Sequence, residues 1–252
     1  MDDQKRFPQG MTPLGDVPFT FDCHPGVSCF TVCCRKVDLL LYPYDVLCLK
    51  RGLDMDSETF LRSYTTLVRG DNPYFPSVML TLTDEGRGNC PFLAENGCAI
   101  YDDRPSGCRT YPLERAVDRR GQVGRRDHYF LVRHEYCKGH DQKKSVTVQQ
   151  YIRSQHLERY NLYNELWAEV DSIFRTNPWQ GEGQGGARQQ LAFMACYNID
   201  GFRRMVEERE LLRQFALTKQ RRRDIERLDE ELLKFGFDWL KLLLTNQQGW
   251  TR

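Results

Sequence analysis

The chain has 252 residues, of which 40% are hydrophobic and 12% aromatic, and this composition excludes widespread disorder. Its 36 basic and 35 acidic side chains leave a net charge of +1, which provides no general field for attracting nucleic acid or anionic lipid. We therefore expect neither nucleic acid nor a membrane as a partner. The segment MDDQKRF at the start has acidic residues and no apolar run, so a cytoplasmic protein without a secretion signal is predicted.

The cysteines are concentrated in the first part of the chain, whereas the later part follows a helical pattern. From this distribution we predict an extension at residues 1–19, a cysteine-cluster domain at 20–144 and a helical domain at 145–252, with a glycine-rich linker near 177–188. The predicted fold class is α+β: a small loop-rich cysteine-cluster domain with short helices and a β-hairpin, followed by an α-helical C-terminal domain.

The first motif is DCHPGVSCFTVCCRK, which places four cysteines at positions 23, 29, 33 and 34. In a cytoplasmic protein such a group favours metal binding or catalysis over structural disulfides. Neighbouring side chains point about 100° apart in a helical turn and to opposite faces in a strand. Cys33 and Cys34 are therefore predicted to serve different roles, or to reach a cluster wider than one ion.

Two helices and a strand are predicted after this motif. Pro43 suits the first turn of a helix that ends at Gly52, and Asp56 or Ser57 is the expected N-cap of the next helix. The segment SVMLTLT, which begins at Ser77, has the β-branched alternation of a strand.

A hairpin is predicted in CPFLAENGCAIY. Asn96-Gly97 is a residue pair that favours a two-residue turn. With that turn, Glu95 would pair with Cys98, and Cys90 would lie on the other face of the hairpin. Cys90 is therefore predicted to precede the regular strand or to belong to a second site.

Two further cysteines of this region lie in separate elements. DRPSGCRTYP predicts a short helix that carries Cys108, with a proline in its first turn and Pro112 just beyond its end. DHYFLVRHEYC predicts a strand that leads into Cys137.

Apolar residues recur at helical spacing in three later stretches: 145–174, 189–215 and 222–244. Their apolar stripes predict core helices, and the helical domain could present a surface to an unidentified protein partner. GEGQGG, between the first two stretches, fits G-x-G-x-x-G with Gly181, Gly183 and Gly186. No strand precedes it, so we predict a flexible linker there and not a nucleotide or S-adenosylmethionine site.

Eight of the ten cysteines form the candidate metal-ligand set: Cys23, Cys29, Cys33, Cys34, Cys90, Cys98, Cys108 and Cys137. Eight thiols suffice for two four-thiolate sites, or for one such site with the remainder structural. Their long, irregular spacings fit a larger cluster better than the tight knuckles of zinc, so an iron-sulfur cluster of the [4Fe-4S] type is preferred and zinc is the alternative. Cys48 and Cys196 lie in apolar helical contexts and are predicted core residues.

Charged and imidazole side chains near the thiols are further candidates. Four arginines could offset the negative charge of thiolates: Arg35, Arg104, Arg109 and Arg115. Three histidines could also ligate a metal, although the eight thiols leave no need for them: His24, His134 and His140.

These motifs carry a family resemblance. CHPGVSCFTVCC, a Pro-Tyr-Asp helix, CPFLAENGCAIYDDRPSGCRTYP and YCKGH together resemble the YkgJ-type CxxCxxCC cysteine-cluster family over about positions 20 to 150. Spacings of five and three intervening residues replace the two and two of the family's first motif. The family is described as a zinc- or iron-chelating domain, so the resemblance implies that the eight cysteines bind a metal or cluster. A related cluster in flagellin lysine N-methylases implies a more distant alternative that uses S-adenosylmethionine.

Three functions are compatible with the sequence. The first is a metal-cluster-binding protein with a redox, electron-transfer or metal-handling role. The second is an iron-sulfur-dependent enzyme similar to a protein-lysine methyltransferase, and the third is an interaction module stabilised by zinc. No catalytic residue is predicted, and the sequence leaves open whether the protein is an enzyme.

Overall fold

The structure is a computed structural model that describes residues 12–35, 37–83, 88–118 and 126–245. Residues 1–11 of the predicted extension at 1–19 lie outside these ranges. Within the ranges the fold is α+β, as predicted. Short helices and small antiparallel sheets occupy the first part of the chain, and helices occupy the part after residue 147.

The α-helices of the described residues fall on both sides of this division. Those of the first part are α1 (Pro43–Gly52), α2 (Ser57–Tyr64) and α3 (Ser106–Thr110). Those of the second part are α4 (Val148–Ser154), α5 (Leu157–Phe174), α6 (Ala187–Tyr197), α7 (Ile199–Glu208), α8 (Lys219–Arg227) and α9 (Asp229–Thr245). Short 3-10 helices lie at Val32–Cys34, Tyr101–Asp103, Lys138–Asp141 and Leu211–Gln214.

The strands form small antiparallel sheets. In chain order they are β1 (Phe19–Thr20), β2 (Leu40–Leu41), β3 (Thr65–Val68), β4 (Ser77–Leu80), β5 (Leu93–Ala94), β6 (Gly97–Cys98), β7 (Leu113–Asp118), β8 (Arg126–Leu131) and β9 (Ser145–Val146). One sheet has the order β2-β4-β3, and the other strands pair as β1 with β9, β5 with β6 and β7 with β8.

The two predicted helix starts are confirmed by their caps. Pro43 is the first residue of α1, and the carboxylate of Asp45 accepts the backbone N–H of Tyr42 at 2.8 Å. Asp56 is the N-cap of α2, and its side chain accepts the N–H of Thr59 at 2.9 Å. Both helices therefore begin where the sequence supplies a partner for the first free N–H groups.

The predicted hairpin is present, but its register differs from the prediction. Leu93, and not Glu95, pairs with Cys98, so Gly97 belongs to the second strand and not to the turn. Gly97 has a φ of +126°, and a Cβ atom there would lie 3.2 Å from a ring carbon of Phe30. The glycine therefore serves a close approach to Phe30 instead of a tight turn.

The three helical stretches expected in the second part are each interrupted. His156, with a φ of +54°, separates α4 from α5. Asn198 separates α6 from α7 and accepts the N–H of Gly201 at 3.0 Å, and Leu228 is extended between α8 and α9. Apolar periodicity alone does not reveal such breaks, because the apolar stripe resumes after each of them.

The larger hydrophobic core contains residues from both sides of the predicted domain boundary at residue 144. Tyr44 of α1 stacks on Tyr163 of α5, with ring centroids 4.2 Å apart and ring planes at 4°. Cys48 and Cys196 lie in this core with exposed fractions of 2% and 1%, which confirms their predicted place. The shared core stabilises both parts together, while the division into two domains stays a prediction.

Buried ion pairs also join the two parts. Lys50 at the end of α1 lies 3.0 Å from a carboxylate oxygen of Asp200 and 2.8 Å from one of Asp229. Asp200 in turn accepts the N–H of Ser57, the first residue of α2, at 2.7 Å. The position of α1 is therefore fixed by charge as well as by packing. No helix in the described ranges combines the length and apolar character needed to cross a bilayer.

Candidate metal centre

Strand pairing brings the two ends of the cysteine-rich segment together. β1 pairs with β9, and just beyond β1 the N–H of Asp22 donates to the carbonyl of Gly139 at 3.0 Å. A Cβ atom at Gly139 would lie 2.7 Å from a ring carbon of Phe21, so only glycine permits this approach. As a result, the thiol of Cys137 lies close enough to Cys23 to raise the pKa of Cys23.

Four thiols gather here and are called the first thiol group: Cys23, Cys29, Cys33 and Cys137. The N–H of Lys138 donates to the sulfur of Cys29 at 3.0 Å, which ties the two ends of the segment directly. Desolvation, followed by the thiols of Cys33, Cys29 and Cys137, raises the pKa of Cys23 to about 11. Since charge interactions weaken with distance, these effects indicate that the four sulfurs border one region.

The other four thiols form the second thiol group: Cys34, Cys90, Cys98 and Cys108. The N–H of Cys90 donates to the carbonyl of Cys34 at 2.8 Å, which joins the first motif to the hairpin. Desolvation, followed by Cys90, Cys33 and Cys98, raises the pKa of Cys108 to about 12. Cys34 has a raised pKa because of its hydrogen bond with Cys33, desolvation, and the nearby thiols of this group.

Two glycines allow the elements of the second thiol group to approach. Gly97, beside Cys98, lies against the ring of Phe30. A Cβ atom at Gly107, beside Cys108, would lie 2.9 Å from Leu39 Cδ1. The hairpin and α3 therefore pack tightly onto the segments that flank the first motif.

Cys33 and Cys34 lie at the junction of the two groups, in the 3-10 helix Val32–Cys34. A hydrogen bond from the Cys34 side chain lowers the pKa of Cys33 to about 7, so Cys33 is the readiest of the pair to form a thiolate. Cys33 influences Cys23 of the first group and all four thiols of the second group, whereas the thiols that influence Cys34 are Cys33, Cys90 and Cys108. The adjacent pair thus connects the two groups.

Sequence reasoning assigned no role to Asp45, although it is fully buried beneath the second thiol group. Its carboxylate accepts the N–H of Ser106 at 2.7 Å and the Ser106 hydroxyl at 3.0 Å. These bonds join α1 to α3, the helix that carries Cys108. Burial raises the pKa of Asp45 to about 6. The sequence indicates a structural role for Asp45 through its position in YPYD, where it is the acidic residue three positions after the N-cap.

The arginines near the thiols differ in their contacts. Arg104 opposes the rise in the pKa of Cys98 that burial causes. Arg115 instead lies 3.0 Å from a carboxylate oxygen of Asp127 and 2.9 Å from one of Glu165. The expectation that Arg115 offsets thiolate charge is therefore wrong, because these two carboxylates already balance its charge.

The histidines near the thiols make ring and backbone contacts. His134 stacks between Tyr111 and Tyr136, with ring centroids 5.4 Å and 5.2 Å away. His140 Nε2 lies 3.3 Å from the Tyr111 hydroxyl, and His24 Nδ1 accepts a backbone N–H two residues ahead. The thiols therefore remain the main candidate donors.

The glycine-rich segment lies between two helices, α5 and α6, and not between a strand and a helix. Glu182 accepts the N–H of Arg188 at 2.9 Å, which places a carboxylate at the N-terminus of α6. That position would have to hold a phosphate in a nucleotide loop. The segment thus gives no support to the alternative that uses S-adenosylmethionine.

The donor set fits a thiophilic metal, because thiolate ligands suit both zinc and iron-sulfur clusters. In the part of the chain that the structure describes, no three His, Cys, Asp or Glu side chains converge closely enough to hold one metal ion. Closing either group around a metal needs rotation of cysteine side chains. Cys23, Cys33 and Cys108 are exposed, which permits such rotation.

Comparison with known proteins agrees with this chemistry. Residues 22–138 match the family model described as "CxxCxxCC: Putative zinc- or iron-chelating domain", which confirms the resemblance at the level of this domain. The match covers a little under half of the chain and includes all eight candidate ligands. No curated protein and no solved structure matches the chain. The family description supports metal binding without specifying the metal.

Proposed function

Because residues 22–138 match the CxxCxxCC family model, we propose that the protein holds two metal centres and acts in electron transfer or redox sensing. The first thiol group supplies the ligands of one centre, and the second thiol group supplies those of the other. The observation that supports this division is the set of neighbours of each thiol. Cys33 influences both Cys23 and Cys34; beyond it, Cys23 is influenced by Cys29 and Cys137, whereas Cys34 is influenced by Cys90 and Cys108.

Iron-sulfur clusters of the [4Fe-4S] type are the preferred occupants. A zinc ion needs four sulfurs at about 2.3 Å from a single point, whereas a cluster spreads its four cysteine ligands over a larger volume. The long spacings between the cysteines therefore favour the cluster.

Electron transfer is supported by the adjacency of Cys33 and Cys34. Neighbouring Cα atoms are about 3.8 Å apart, so centres bound by these two residues would lie within a distance on the order of 10 Å. An electron could then pass from one centre to the other. Cys23 and Cys33 are exposed, so the first centre would lie near the surface where a redox partner can approach.

The proposed cellular location follows from the chemistry of the thiolates. Thiolates stay reduced and available to metals in the cytoplasm, which supports a cytoplasmic location. The helical part of the chain, α4 to α9, is proposed as the surface for a protein partner.

Anaerobic purification followed by metal, sulfide and absorption analysis tests the identity of the centres. We expect about eight iron atoms and about eight acid-labile sulfides per chain, because two [4Fe-4S] clusters contain that number. The protein should be brown and should bleach on reduction. A colourless protein that contains zinc and no acid-labile sulfide would contradict the iron-sulfur assignment and would support the zinc-stabilised interaction module.

A further inference from the structure

A second site lies in a cleft between α1, the 3-10 helix Tyr101–Asp103 and the start of α5. Its volume is about 340 Å³, which is within the range of small-ligand sites. Tyr44, Cys48 and Tyr160 line it, and their exposed fractions are 2%, 2% and 5%. Core residues therefore contribute to the lining of the cleft.

Hydrogen-bond donors converge in this cleft. The hydroxyls of Tyr44 and Tyr160 both face the thiol of Cys48. The guanidinium of Arg159 lies against the Tyr44 hydroxyl, and that of Arg109 lies against the Tyr160 hydroxyl. Burial raises the pKa of both tyrosines, so each hydroxyl keeps its proton, and both hydroxyls hydrogen-bond with the thiol of Cys48.

The guanidinium of Arg109 is buried in the cleft, 4.8 Å from the centroid of the Tyr160 ring, and its charge influences the buried carboxyl of Asp45. Its Nε and Nη1 donate to the backbone carbonyls of Arg104 and Gln155 at 2.8 Å and 3.0 Å, and its Nη2 donates to the carbonyl of Asp102. Among the described residues these partners are neutral carbonyls, so the buried guanidinium has no carboxylate in direct contact. An isolated buried cation is costly, and an anion in the cleft would reduce that cost.

Acidic groups also face the cleft, but most are paired or peripheral. Asp103 lies 3.5 Å from Arg51, and Glu230 lies 2.9 Å from Arg51 and 3.9 Å from Arg159. Glu158 is exposed at the rim, as is Asp102. The floor of the cleft therefore presents hydroxyls and a guanidinium, while the carboxylates lie around its edge.

We propose that this cleft binds a small ligand through an oxyanion, which Arg109, Tyr160, Tyr44 and Arg159 contact. Phosphate and carboxylate share this chemistry, and both present several oxygen acceptors to convergent donors. The cleft is separate from the thiol groups, so the proposal does not depend on the identity of the metal. Its floor is nonetheless adjacent to the second thiol group, because Arg109 follows Cys108 in α3.

Calorimetric titration of the full chain as purified tests this site, with inorganic phosphate and citrate as separate probes. We expect saturable binding of at least one probe with a dissociation constant of about 1 mM or lower. Saturation by phosphate alone would identify a phosphate site, and saturation by citrate alone would identify a carboxylate site. If neither probe saturates at about 20 mM, the proposal is overturned.

Two conservative variants connect the binding to this cleft. Arg159→Gln and Tyr44→Phe should each weaken binding about tenfold, since each removes one donor and keeps the packing. The Arg159 side chain is 67% exposed, and Phe keeps the ring that stacks on Tyr163, so both variants should fold. Arg62→Gln, on the exposed surface of α2, is the matched control and should bind as the unchanged chain does. Equal weakening in all three variants would show that the probes bind elsewhere.

Discussion

Replacing Cys108 by serine is expected to remove about half of the metal from the purified protein. Cys108 lies on α3 within the second thiol group, where Cys90 and Cys98 influence its thiol. Serine is a much poorer ligand for zinc or iron than thiolate, so that centre should not assemble. The first thiol group keeps all its ligands, and its metal should remain. Metal analysis of the variant, purified anaerobically, measures the loss.

Two further variants sharpen this result. Cys137→Ser should remove the other half of the metal, and the double variant should retain almost none. Cys196→Ala is the matched control, because Cys196 is 1% exposed in the hydrophobic core and lies on α6, in the helical part of the chain. Its metal content should equal that of the unchanged chain. Equal losses from Cys196→Ala and Cys108→Ser would show that the assignment of ligands is wrong.

Replacing Asp45 by alanine is expected to lower the free energy of unfolding by about 4 kcal/mol. The change leaves three donors without their acceptor: the N–H of Tyr42, and the N–H and hydroxyl of Ser106. Each unsatisfied buried donor costs about 1–3 kcal/mol. Denaturant unfolding in the presence of a chelator measures this effect apart from any contribution of bound metal.

The same variant should also lose the metal of the second thiol group, because Asp45 holds α3 against α1. Asp56→Ala is its control: this aspartate also accepts a backbone N–H at a helix start, but it is exposed and far from the thiols. That variant should lose less stability and retain both centres. If Asp45→Ala kept its full metal content, Asp45 would not position α3.

The parts of the fold that could be predicted are those with a local cause. Pro43 and Asp56 mark helix starts because the first turn of a helix needs a partner for its free N–H groups or a residue that lacks one. The hairpin register could not be predicted, since Gly97 is placed by its contact with Phe30, a residue distant in sequence. His156 breaks a helix through a positive φ that no sequence period reveals.

In the candidate site, too, features with a local cause could be predicted, whereas those that depend on distant residues could not. The eight cysteines were identified from the sequence because thiols are rare and clustered, but their grouping depends on contacts between distant segments. The approach of Cys23 to Cys137 rests on the pairing of β1 with β9 and on the missing side chain of Gly139. Asp45 acts by a hydrogen bond to Ser106, 61 positions away, which a local pattern does not show.

Cys33 and Cys34 are proposed to belong to different centres, and the metal content of double variants tests this division. Cys34→Ala combined with Cys108→Ser should retain about half of the metal, because both changes affect one centre. Cys33→Ala combined with Cys108→Ser should retain almost none, because the changes affect both. Equal metal contents in the two double variants would contradict the division and would indicate a single centre that both cysteines share.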